Sequence, residues 1–171
     1  MTISMSSASL PICMTMLGNL AHMLDKAQAF VDTRKCDPSA LTLYRLAPDM
    51  LPFTRQIQIA CDAAKNGIAR IGGIEAPKFD DTETTLAELK ARIGKTLDFL
   101  KTVPASALDG TETKDITFPV GKDATRTMQS EAFLKHWMLP NLFFHVTMAY
   151  AILRHNGVDL GKTDYLMGSP A

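Results

Sequence analysis

The stretch from Pro140 to Gly157 constrains the fold most: PNLFFHVTMAYAILRHNG is apolar on nearly every side, with one polar seam at Asn141 and His145. Residues four apart stand above one another on a helix, so the seam is one turn deep. A histidine among phenylalanines is either a satisfied core residue or part of a ligand site. A helix this apolar needs other helices to cover it.

Three further stripes supply them. Leu10, Cys13, Leu17, Leu20, Leu24, Ala27 and Val31 alternate spacings of three and four, predicting a helix over 7–31 with Pro11 in its first turn. Phe53, Ile57, Ala60, Ala64, Ile68 and Ile71 predict a second, starting near Pro48 or after Pro52 and ended by Gly72-Gly73. Its small residues Ala60, Ala63, Ala64 and Gly67 permit a close neighbour. Leu86, Leu89, Ile93, Leu97 and Leu100 predict a third, opened by a Thr85/Glu88 capping box and stopped by Pro104. Between it and the last helix, Ile116, Phe118 and Val120 alternate with Thr117 and Pro119. This predicts a short β-hairpin or an extended excursion, with Pro119 restricting it to an edge. Ser130 is placed as the N-cap of a helix through Leu139, and Pro140 as a kink or a fresh start. The tail, 158–171, is too short and Gly-rich for another long helix. The pattern is all-α, a four-helix bundle in one domain over 1–171.

Composition excludes more than it selects. Eighteen Lys and Arg balance eighteen Asp and Glu, so the basic footprint of a nucleic-acid binder is missing. No apolar run reaches membrane-spanning length, and the N-terminus lacks the pattern of a signal peptide. Cys13, Cys36 and Cys61 are odd in number and form no CxxC pair, which suits reduced thiols and a cytoplasmic setting. Cys13 and Cys61 fall in apolar stripes and are read as buried and inert. No GxSxG, P-loop or GxGxxG pattern appears.

Arg45-Leu46-Ala47-Pro48-Asp49-Met50, Phe79-Asp80-Asp81-Thr82-Glu83-Thr84, and Phe144-His145-Val146-Thr147 through Ile152-Leu153-Arg154-His155-Asn156-Gly157-Val158 resemble one branch of the DinB-like (DinB/YfiT) four-helix bundle superfamily. That branch is known only as a domain of unknown function. Better-known relatives hold a divalent metal with three histidines, one from the second helix and two from the last at i and i+4; a metal at such a site here would be nickel or zinc. Some are thiol-dependent transferases, and homodimers are common. The resemblance implies His145 as the one last-helix metal ligand, since Asn141 and Ala149 stand at i−4 and i+4 and the second helix has no histidine. It also implies a homodimer.

Three readings of the seam follow. In the first, His145 belongs to an interhelical polar network with Asn141, Tyr150, and Gln56, Gln58 or Asp62, because buried imidazole nitrogens need partners. In the second, the same side chains converge on a small-molecule pocket walled by Trp137, Phe143, Phe144 and Tyr150. In the third, a degenerate metal site around His145 serves a diverged metal- or thiol-dependent transferase or hydrolase. Amides are weak ligands for nickel or zinc, so a full metal site is the least expected. His136 lies near only if Pro140 kinks the chain. His22 is expected to be exposed, and His155, Arg70 and Asp49 to serve helix ends. The sequence therefore predicts a ligand-binding or structural bundle without nucleic-acid or membrane partners.

Overall fold

A computed structural model describes residues 3–168. Among them are four long helices: α1 (Leu10–Arg34), α3 (Phe53–Gly72), α4 (Leu86–Thr102) and α6 (Leu139–His155). Short helices α2 (Ser39–Thr42), α5 (Ser130–Phe133) and α7 (Lys162–Met167) join or flank them. α3 packs against both α6 and α4, and α1 against α4, α6 and α7. Gln56 meets His145 and Gly67 meets Met138, so α3 and α6 run antiparallel.

The apolar stripes face inward. Cys13, Leu17, Leu20, Leu24, Ala27 and Val31 of α1 are buried, as are Phe53, Ile57, Ala60, Ala64, Ile68 and Ile71 of α3. On α4, Leu86, Leu89, Ile93 and Leu100 are buried. Leu10 and Leu97 sit at the margins. These residues form one contiguous apolar core with Leu142, Val146, Ile152 and Leu153 of α6. α4 opens with the capping box, Glu88 N–H donating to Thr85 Oγ1 and the Glu88 carboxylate accepting from the Thr84 and Thr85 amides. α3 closes on Gly73 at φ 64°, a left-handed position suited to glycine.

Residues 115–129 form an antiparallel pair, β1 (Asp115–Val120) and β2 (Ala124–Gln129), with Thr117 opposite Thr127. Ile116 and Phe118 point into the core, and Phe118 stacks on Phe133 and Trp137 at 4.9 Å each. A β-hairpin with Pro119 in its first strand is therefore what the excursion becomes.

Four boundaries differ from expectation. α1 starts at Leu10, because Ser4 to Ser9 form a turn held by Asp109, which accepts from the Ser6 amide at 2.8 Å. α2 follows Pro38 unannounced by any stripe; the Asp37 carboxylate accepts from the Ser39 amide at 2.9 Å. Ser130 is the first residue of α5, and Gln129 holds the cap position. A π-helical turn, Leu134–Met138, then joins α5 to α6 and places Pro140 within the first turn of α6. Its signature is the Leu139 N–H donating back to the Leu134 carbonyl. Pro140 has no N–H to give the carbonyl four residues earlier, which favours a register shift just before it. The tail folds as α7 only over Lys162–Met167; its last residues, 169–171, lie outside the described region.

Candidate functional site

α6 carries His145 toward α3, where its Nδ1 lies 2.8 Å from Gln56 Oε1. Gln56 is fully buried and its own Nε2 donates to the Leu51 carbonyl at 2.9 Å. That second bond orients the amide, so its oxygen faces the imidazole and Nδ1 carries the proton. Nε2 is then the lone-pair nitrogen. His145 is 8% exposed, and the edge of the Phe144 ring covers it at 5.2 Å. Burial away from any counter-charge pulls its pKa from 6.5 to about 4. The imidazole is neutral at physiological pH.

Gln58 does not join this pair. It is two residues along α3 and turns to the connection before α4, where its Nε2 donates to Glu83 at 2.8 Å, while its oxygen accepts from Arg55 of α3 itself at 2.6 Å. Asp62 faces the same way. It meets Arg92 of α4 at 3.1 Å and Lys65 at 3.5 Å. Arg92, with 1% of its side chain exposed, is the hub: it also meets Asp81 at 3.0 Å and Glu83 at 3.0 Å. Phe79 lies under both cations, 4.6 Å from Lys65 Nζ and 5.5 Å from the Arg92 guanidinium carbon. Against the opposing effect of partial burial, Arg55 and then Arg92 hold the Asp81 carboxyl below its ordinary value, and hydrogen bonds from Gln58, the backbone and Arg92 do the same for Glu83. This seam ties the 74–85 connection across α3 and α4. Arg92 and Lys65 lie outside the apolar stripes from which the helices are predicted. The signal was present: Arg92 stands three residues after the stripe residue Leu89, and Lys65 three before Ile68, which places both on apolar faces.

Asn141 does not reach His145 either. Its Nδ2 donates to the Trp137 carbonyl at 2.7 Å, within the π turn. It lines a cavity of about 170 Å³ between α3, the π turn and α6, together with Asp62, Asn66, Arg70, Trp137 and Met138. Gly67 lets α3 approach the π turn closely, since a Cβ there would stand 2.3 Å from Met138 Sδ. Tyr150 lies elsewhere, half-buried and edge-on to Tyr165 of α7 at 6.1 Å. Phe143 and Phe144 are exposed rather than pocket walls. The predicted single constellation is thus three: a His145–Gln56 pair, a charged seam holding Gln58 and Asp62, and a cavity lined by Asn141 and Asp62.

The remaining histidines serve helix ends and surfaces. His136 is exposed. His155 is exposed and tilted against Tyr44 at 5.6 Å. His22 is not free: its Nε2 lies 3.0 Å from Asp164, which also accepts from Lys26 and so pins α7 to α1. Burial pushes the Cys13 and Cys61 thiols up to about 12, the state of inert core cysteines.

The donor set around His145 does not suit nickel or zinc. One imidazole nitrogen is available, the residue four before it is an amide committed to the backbone, and the residue four after it is Ala149. The facing α3 side chain is an amide fixed at both ends. Among the described residues, no group of three or more His, Cys, Asp or Glu is placed to hold a metal ion. Such sites need three or four nitrogen, sulfur or carboxylate ligands.

The chain is mostly helical, with a two-stranded antiparallel sheet between its third and last long helices. The crystal structure of a DinB family member protein from Shewanella denitrificans matches it with a TM-score of 0.89 at 42% identity, covering 97% of this chain and 93% of that one. The chain belongs to the family described as a domain of unknown function, DUF1993, whose model matches residues 5–166. No curated protein matches it. No described helix is long and apolar enough to cross a membrane.

Proposed function

We propose that this chain is a metal-independent, small-molecule-binding bundle, in which His145 is a neutral hydrogen-bonding group between helices. In this reading the four long helices form the up-down four-helix bundle of a single domain. The homodimer and cytoplasmic setting implied by the resemblance belong to the same reading. One observation carries it. The His145 Nδ1–H donates to an amide that is itself anchored at Leu51, in a site dry enough to hold the imidazole neutral. A buried network satisfied in this way fixes helix register, and it leaves too few donors for a catalytic ion. The small-molecule site is the cavity between α3 and α6, where polar groups converge against apolar walls.

Metal analysis of untagged protein purified without chelator tests the proposal. The expected result is a metal content far below one ion per chain, unchanged in His145→Ala. Stoichiometric nickel or zinc that disappears in His145→Ala, with the fold intact, would overturn it.

A further inference from the structure

We infer that the cavity between α3 and α6 binds a small organic monocarboxylate with a flat apolar body, with Arg70 as its anion partner. This rests on the proposed reading of the chain as a binding bundle and names the class of its ligand.

Two guanidinium groups beside α3, those of Arg92 and Arg70, are treated oppositely. Arg92 is saturated, with three carboxylates around it. Arg70 is half-buried on the cavity wall, and its guanidinium makes neither an ion pair nor a hydrogen bond among the described residues. Loss of water without a compensating charge lowers its pKa, yet a guanidinium stays charged at any physiological pH. A partly desolvated cation without a counter-ion is unfavourable, and a carboxylate is the ligand group whose two oxygens match its fork.

The rest of the lining narrows the choice. Ile59, Phe133, Trp137 and Met138 provide apolar walls, which a fully hydrated inorganic anion cannot use. Asn66 makes no hydrogen bond to the described residues, and Asn141 spends only its Nδ2, so amide groups remain for a ligand substituent. Asp62 at the opposite end has one oxygen committed to Arg92 and Lys65; its charge discourages a second carboxylate there. A volume of about 170 Å³ is close to the ~150 Å³ of a cavity that accepts benzene. A benzoate-sized monocarboxylate fits the volume, the charge and the walls together.

Trp137 is the only tryptophan of the chain and lines the cavity, so its fluorescence reads occupancy directly. The experiment titrates benzoate, benzamide and inorganic phosphate into the full chain, into Arg70→Gln and into Ala63→Leu, a variant that fills the cavity without altering charge. The expected result is a saturable response to benzoate that weakens at least about tenfold (~1.4 kcal/mol) for benzamide and in Arg70→Gln. It is lost in Ala63→Leu, and phosphate gives none. Circular dichroism of both variants shows that the fold persists. A linear, unsaturable response to benzoate overturns the inference, as do equal affinities for benzoate and benzamide, unchanged binding in Arg70→Gln, or tighter binding of phosphate. Metal content of the same preparation separates the two proposals: a metal-free chain that ignores benzoate removes only the carboxylate assignment, whereas a stoichiometric ion removes the parent reading.

Discussion

His145→Gln should flatten the acid limb of the stability curve. In the folded chain burial holds the His145 pKa at about 4, against 6.5 for the ordinary group. The unfolded chain therefore binds a proton below about pH 6.5 that the folded chain refuses until about pH 4. Stability rises with pH wherever the unfolded state binds more protons, so this group's contribution is complete above pH 6.5 and is lost as the pH falls toward 4. At ~1.4 kcal/mol per pH unit the whole effect is about 3 kcal/mol, of which about 2 kcal/mol is gone by about pH 5. With an m-value on the order of 2 kcal/mol/M, the urea midpoint drops by roughly 1 M from this source alone. The assay is urea unfolding followed by far-ultraviolet circular dichroism at about pH 7 and about pH 5, for the parent and for His145→Gln. Carboxylates titrate alike in both, so the difference between the two losses isolates the imidazole. The parent should lose about 2 kcal/mol more than the variant. Equal losses would refute the claim that the imidazole is buried and uncompensated.

Three further outcomes follow from the geometry. Arg92→Met leaves the Asp62, Asp81 and Glu83 carboxylates facing one another without their cation; partial exposure of the acids softens the cost, which should still reach about 3 kcal/mol in urea unfolding. Thr85→Ala removes the N-cap of α4 and should lower stability by about 1 kcal/mol, read as a lower melting temperature with an unchanged far-ultraviolet spectrum. Thiol titration with a chromogenic disulfide should find Cys36 reactive in the native chain, and Cys13 and Cys61 only after denaturation, because both are buried.

The long helices were legible because burial imposes a period. Ile57, Ala60, Ala64 and Ile68 cannot all be hidden unless α3 forms where it does. The Thr85/Glu88 box and Gly73 were legible because their roles are local. What periodicity could not decide was which flank of α3 meets which neighbour. At about 100° per residue, Gln56 and Gln58 stand on opposite sides of Ile57, and only the arrangement of α4 and α6 assigns one to His145 and the other to Glu83. The same ambiguity scattered Asp62, Asn141 and Tyr150, which the sequence had grouped with His145. Arg92 escaped notice because a charge on an apolar face reads as a break in the stripe until its partners, distant in sequence, are in place. The π turn and α2 were invisible for a simpler reason: neither has a period long enough to register.

In the proposed reading the imidazole of His145 is a neutral donor to Gln56 and not a metal ligand. Nitrogen-15 NMR of the histidine rings, recorded from about pH 7 down to about pH 5 with and without added nickel or zinc, tests it most directly. The His145 ring should keep its proton on Nδ1, become no more than about a tenth charged at about pH 5, stay unmoved by either metal, and change in Gln56→Leu. A His145 ring protonated on Nε2, charged near pH 6.5, or shifted by one equivalent of metal would contradict this reading, the His145 signals being assigned by their loss in His145→Gln.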